Sequence, residues 1–253
     1  MTFYELYKAL DAKFPEALRC EWDNDGIMCA DDLYAPCKKV LISLDVTNEA
    51  VEYAIKNGFD TIISHHPLVF KGQKALSALN FTQNKLISLV KNGVRVMSFH
   101  TRLDAGNGGV NDALLSILGF DKSENDPADP IGRICTLDKE TTVEKFAYFV
   151  KEKLGSSVIS YVGEKPVKRV YIVGGDGKDL IENALACKAD TLLTGNASYN
   201  SMLDASEMGL NIIEAGHFYT ENPVCALLEK YVKELCQNVH VEKFNSNKIK
   251  TIS

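Results

Sequence analysis

The sequence predicts two similar α/β halves produced by an internal duplication, and two observations predict it. The stretch KKVLISLDVTNEAVEYAIKNGFDTIISHH from Lys38 aligns without a gap on KRVYIVGGDGKDLIENALACKADTLLTGN from Lys168, so that Val40 matches Val170, Ile42 matches Ile172, Glu52 matches Glu182, Ala54 matches Ala184, Asp60 matches Asp190 and Thr61 matches Thr191. Further on, each copy enters a short apolar run that ends in a histidine with a carboxylate four residues later. These are NGVRVMSFHTRLDAG, with His100 and Asp104, and MGLNIIEAGHFYTEN, with His217 and Glu221. This alignment puts His100 at the position of His217.

Each copy begins with a β-branched apolar run, turns, continues through a segment of helical spacing and closes on a second apolar run. That is a β-α-β unit, whose strands lie parallel and are joined by a right-handed crossover. The helical faces are Ala50, Val51, Ala54 and Ile55 in the first copy and Ile181, Ala184 and Leu185 in the second. Residues 1–125 are expected to form the first lobe and 126–253 the second. Residues 121–167 connect them, SENDPADP marks the join, and the C-terminal segment packs back on the first lobe. PVCALLEKYVKELC, after Glu221, has apolar residues at helical spacing and is expected to pack internally. In such sheets ligands bind beyond the carboxyl ends of the strands, which is where the polar residues of both copies gather.

Composition narrows the function classes. The 253 residues are 45% hydrophobic and 25% charged, as in an ordinary globular protein. A formal charge of −6 disfavours a general binder of the phosphate backbone, including a ring around nucleic acid. The polar TFYELYKALDAKFPE after Met1 is not a secretory leader, and no apolar run approaches the roughly 18 residues that read as a membrane span. A cytoplasmic location without membrane contact is expected. The 7 cysteines are scattered and never spaced as C-x-x-C, so they are expected to be reduced thiols.

TIISHHPLVF ends an apolar strand in two adjacent histidines, His65 and His66, and a proline, Pro67. Successive side chains on a strand point to opposite faces, so the two imidazoles address different points. Imidazole and carboxylate at convergent strand ends suit a divalent metal, with Zn, Fe, Mn and Ni not distinguished. His65, His66, Asp104, His217 and Glu221 exceed what one open catalytic ion needs and suit two ions about 3.5–4 Å apart, with a carboxylate between them. The alternative for the histidine pair is the cap of a loop. His100 ligates, or it orients Asp104 from behind. His240, in NVHVEKF, falls outside the pattern and is expected to be structural.

EWDNDGI, SLDVT, IISHHPLVF, HTRLDAGNGGVND, GRI, VGGDG and AGHFYTE together resemble the NIF-three-like dinuclear metal proteins, whose bacterial members are called GTP cyclohydrolase 1 type 2 homologues. The resemblance covers nearly the whole chain. It implies ligation of two divalent ions per subunit by His65, His66, Asp104, His217 and Glu221, with Glu221 shared. It also implies that the α/β lobes enclose the site in a cleft and that subunits assemble into a ring-shaped homohexamer. Two departures bear on the substrate: Arg102 stands where the family usually has asparagine, and TGNASYN, with Asn196 and Asn200, replaces an acidic residue followed by a histidine. Arg102 either meets a phosphate or forms a surface ion pair.

VYIVGGDGKDL places Gly174, Gly175 and Gly177 between a strand and a helix, where backbone N–H groups either cradle a phosphate or simply make a tight turn. DNDG, Asp23 to Gly26, starts like a calcium loop, but Tyr34 occupies the twelfth position. A turn that faces Trp22 and Asn24 toward the site is expected instead. The chemistry favoured is hydrolysis: a metal-bridging hydroxide attacks a nucleotide-like small molecule, with Glu221 bridging and His100 carrying a proton. The rival is a protein that carries metal or binds partners without turning anything over.

Overall fold

The computed structural model describes residues 1–251. One compact unit is Met1–Leu103 with Val224–Lys248, and the other is Asp104–Pro223 with the residues from Ile249. The first contains α1 (Phe3–Lys13), β1 (Gly26–Cys29), β2 (Lys39–Ser43), α2 (Asn48–Lys56), β3 (Thr61–Ser64), α3 (Phe81–Lys91) and β4 (Arg95–Ser98). The short α4 (Thr101–Ala105) crosses the division. The second holds α5 (Val110–Leu118), β5 (Glu124–Asn125), β6 (Arg133–Thr141), α6 (Val143–Leu154), β7 (Ser160–Val162), β8 (Val167–Asp176), α7 (Ile181–Ala186), β9 (Thr191–Asn196), α8 (Tyr199–Glu207), β10 (Asn211–Glu214) and α9 (His217–Glu221). The chain then returns to the first unit through α10 (Pro223–Leu235) and β11 (His240–Phe244). The expected join at residues 125 and 126 lies inside the second unit, because α5 already packs Leu114, Leu115 and Leu118 into that unit's core. Among the described residues no helix is long and apolar enough to cross a membrane.

Both units are built on a parallel three-stranded centre. The first sheet runs β1-β4-β3-β2-β11, with β4, β3, β2 and β11 parallel and β1 antiparallel on β4. The second runs β5-β6-β8-β9-β10-β7, with β8, β9 and β10 parallel and β7 antiparallel on β10. An antiparallel strand thus closes the corresponding edge of each copy. Strands of the second sheet are covered on both faces: Val170, Ile172, Leu193 and Ile213 enter one core, while Tyr171, Val173, Leu192 and Ile212 enter the other. Helix starts follow the sequence, since Thr2, Thr47, Asn80, Thr142 and Ser198 each accept a first-turn N–H on a side-chain oxygen.

The duplication persists in hydrogen bonds. One carboxylate oxygen of Asp60 accepts the N–H groups of Lys38 and Lys39 at 2.8 and 2.9 Å, and the other accepts the Thr61 hydroxyl at 2.8 Å. Asp190 does the same for Lys168 and Arg169 at 2.9 and 2.7 Å and for Thr191 at 2.7 Å. Each aspartate ties the start of two neighbouring strands, which fixes their register: Val40 faces Thr61, and Val170 faces Thr191. The third strands are also in step, with Arg95 beside Thr61 and Asn211 beside Thr191. Residue 100 therefore corresponds to Gly216, and His217 corresponds to Thr101. The equivalence of His100 with His217 expected from sequence is one residue out of step, because the runs leading to them differ in length.

The copies differ where α2 and α7 end. Gly58 turns with φ of +69°, and the matching Lys188 adopts φ of +57°, the sole positive-φ residue other than glycine among the described residues. A left-handed conformation costs a side-chain-bearing residue roughly 1–2 kcal/mol, partly offset by the lower chain entropy that glycine brings to the unfolded state. Lys188→Gly is expected to stabilise the protein by about 1 kcal/mol, and Gly58→Ala to destabilise it by a similar amount. Thermal unfolding should show shifts of about 2–4 °C in opposite directions.

Candidate metal centre

The carboxyl ends of β2, β3 and β4 and the amino end of antiparallel β1 lie at one edge of the first sheet, as the pairing of Gly26 with Ser98 shows. Three histidines leave the strands there. His65 is fully buried and donates Nδ1–H to the Phe99 carbonyl at 2.9 Å. His66 donates Nδ1–H to Asp45 at 2.7 Å, and the Ser246 hydroxyl donates to the other Asp45 oxygen at 2.9 Å. His100 donates Nδ1–H to Asp23 at 2.8 Å. A carbonyl or a carboxylate can only accept, so each ring carries a proton on Nδ1, and in the neutral ring the lone pair is then on Nε2, the arrangement that metal-ligating histidines require.

The turn after β3 brings the first two rings together. His66 N–H donates to the Leu44 carbonyl at 2.9 Å, and Ser64 Oγ donates to the His66 carbonyl at 2.8 Å. The rings of His65 and His66 lie 4.9 Å apart, and His100 is 5.2 and 5.7 Å from them. Potential ligand atoms of the three lie within 4.8 Å of one another, which suits one ion or two adjacent ones. Strand alternation does not separate His65 from His66, because β3 ends at Ser64.

Asp23 and Asp25, from the turn expected at DNDG, are the residues that sequence reasoning passed over. Asp23 is buried and accepts the Thr101 N–H at 3.1 Å and its hydroxyl at 2.6 Å, besides His100. Burial pushes this carboxyl up, but the hydrogen bonds from His100 and Thr101 outweigh it and hold the group at about 2. Asp25 takes the Arg102 guanidinium through Nε at 2.9 Å and Nη2 at 2.7 Å, and its Oδ2 also accepts the His100 N–H at 3.0 Å. Asp45 was legible only as part of SLDVT. The signal that would have found it is an aspartate just past the end of β2, beside a histidine that needs an acceptor.

Arg102 corrects both expectations placed on it. It is 0% exposed, so it is neither a surface ion pair nor a phosphate contact. Its Nη1 donates to Asp11 at 2.8 Å and to the Phe14 carbonyl at 3.2 Å, and its carbon centre lies 4.9 Å from the Phe99 ring. Burial alone would lower its pKa, but the Asp25 carboxylate raises it above the ordinary arginine value. The guanidinium locks the β1 entry to α1 and to the residue chain that carries His100.

In the second unit, α9 carries His217 and Glu221 one turn apart, with Nε2 2.9 Å from Oε2. Glu221 is buried. The glycines of VGGDG let α9 come this close. Gly175 has φ of +70°, and a Cβ there would collide with the Glu221 carboxylate, while one at Gly195 would strike Thr220 Oγ1. Their N–H groups are already used: Gly174 donates to Asn111 at 2.7 Å, Gly175 to Thr220 at 3.1 Å and Gly177 to Thr194 at 2.9 Å. The motif is a close-approach surface and not a phosphate cradle. Asp104 is buried, and its carbonyl accepts Asn111 Nδ2 at 3.2 Å. Asn196 and Asn200 are exposed. His240 stands on edge strand β11, donating to Glu242 at 2.6 Å, apart from these residues.

Residues 1–251 match the family described as Duf34/NIF3 (NGG1p interacting factor 3). A protein of Clostridium perfringens named GTP cyclohydrolase 1 type 2 homolog is 36% identical over 242 residues, 92% of each chain. Among solved structures, the Staphylococcus aureus hypothetical protein SA1388 superposes with a TM-score of 0.90 at 27% identity, covering 100% of this chain and 99% of that one. Reduced HcgD from Methanocaldococcus jannaschii gives 0.82 at 27% identity, with 97% of each chain covered.

An arginine that braces the fold differs from one that binds substrate in what its removal does. Arg102→Met is expected to destabilise the protein by about 3–5 kcal/mol in urea unfolding, because it strands a buried Asp25 charge, and Arg102→Met with Asp25→Leu should recover much of that loss. An unchanged unfolding midpoint in the single variant would return Arg102 to the substrate.

Proposed function

The chain belongs to the Duf34/NIF3 family, and from that premise we propose that it is a metal-dependent hydrolase acting on a nucleotide-like substrate, with two divalent ions held by His65, His66, Asp104, His217 and Glu221. The observation that carries this reading is the commitment of Nδ1 in each of His65, His66 and His100 to an acceptor, which makes Nε2 the nitrogen through which a neutral ring can ligate. The imidazoles of His65, His66 and His217, with the carboxylates of Asp104 and Glu221, make a donor set that suits Zn, Fe, Mn or Ni. When bound, a pair of these ions activates water and polarises an electrophilic carbon or phosphorus.

The protein's own residues supply the rest. Glu221, held in place by the close contact of α9 with Gly175, would be the carboxylate offered to both ions. His100 moves the proton: Nε2 takes it from the attacking water and returns it to the leaving group, while ionised Asp23 on Nδ1 stabilises the imidazolium. Nothing in these residues selects guanine, so the support for GTP as substrate is the name its relatives bear.

The test is a nucleotide panel that includes GTP, offered to anaerobically purified, metal-loaded protein, with products followed by mass spectrometry and bound metal counted per chain. Turnover is expected, with a loss of about a hundredfold or more in Glu221→Ala. Two ions per chain with no product from any nucleotide would overturn the hydrolase and favour a protein that carries metal.

A further inference from the structure

Trp22, the only tryptophan of the chain, leaves its indole 63% exposed, and the Phe70 ring, 45% exposed, lies 6.1 Å from it at a tilt of 54°. Both rings flank His100, Trp22 at 6.1 Å and Phe70 at 6.3 Å, each nearly edge-to-face with the imidazole. Aromatic side chains of this size contribute most when covered, so two of them standing in water beside a cluster of metal-ligating groups is an arrangement with a use.

The backbone holds them out. Asp23, next to Trp22, is fixed by His100 and by Thr101, which anchors the chain beside the indole. Asn24 donates its side-chain amide to the carbonyl of Val69, next to Phe70, and so links the loop that presents the indole to the loop that presents the phenyl ring. The same carboxylate that orients His100 therefore also anchors the residue next to the indole.

We propose that Trp22 and Phe70 form the stacking subsite for a planar heteroaromatic ring of the substrate, an inference that rests on the hydrolase reading for the location of the reacting atoms. A flat ring lying on the indole meets Phe70 at a tilt, one of the offset geometries that aromatic pairs favour. Apart from the indole N–H, the pair offers no hydrogen-bonding group. It selects a π-face of any base and leaves the choice among bases to other contacts. A sugar phosphate without a base gains nothing from it.

Because Trp22 is the only tryptophan, its emission reports on this place alone. Metal-loaded protein titrated with guanosine, adenosine, GTP and ribose 5-phosphate is expected to show quenching by the first three and none by the last. Phe70→Ala should weaken guanosine binding about tenfold or more, and Trp22→Ala should do the same by calorimetry. Emission unchanged by every base, or equal affinity in both variants, would overturn the subsite. So would a Trp22→Ala chain that changes its sedimentation coefficient while the native emission is blue-shifted and unresponsive, since the pair would then be covered by a second copy. Quenching without turnover keeps the subsite and removes the hydrolase. Turnover with an unchanged KM in Trp22→Ala does the reverse.

Discussion

The proton on Nδ1 of each clustered histidine has one place to go, and that constraint organises the first unit. His65 gives it to a backbone carbonyl beyond β4, His66 to an aspartate beyond β2, and His100 to an aspartate before β1. Three acceptors from three strand ends converge only because the strands are in register. The register is set at the opposite edge of the sheet, where Asp60 ties the starts of β2 and β3. Ser246, past the end of β11, then steadies Asp45. A shift of one residue in any strand would turn its side chains to the other face and break the set.

The second unit solves a related problem with glycine. It has no histidine at the end of β9, where Gly195 and Asn196 stand in the places of His65 and His66. Its histidine and glutamate come from α9, which packs against the end of β8. Gly175 matches Asp45 in the duplicated frame, and the absence of a side chain there is what admits the Glu221 carboxylate. One copy of the repeat has filled its strand ends with imidazoles and their acceptors. The other has emptied them to let a helix in.

Much of this was legible in the sequence, and what was not has a common cause. The repeat could be aligned because Asp60 and Asp190 make the same bonds, so the same residue types recur. The parallel strands followed from local pattern. Asp23 and Arg102 were misjudged because their meaning depends on contacts 77 residues away along the chain, created when antiparallel β1 docks on β4. A DNDG segment alone looks like a turn, and an arginine alone looks like a surface charge. For VGGDG the sequence leaves phosphate cradle and tight turn both open, because glycine spacing does not reveal whether the N–H groups are already satisfied. The division of the chain was hidden for the opposite reason: α5 has an ordinary amphipathic face, and nothing in that face names the sheet it covers.

Nε2 of His65 and of His66 is the atom proposed to meet the metal. The most direct measurement is an anomalous difference map, recorded at the absorption edge of the metal found in crystals of the purified protein. Peaks are expected within about 2.0–2.2 Å of Nε2 of both His65 and His66, with Nδ1 of each still on its acceptor. Full-strength peaks elsewhere, ligation through Nδ1, or no peak in protein grown and purified with metal supplied would contradict it.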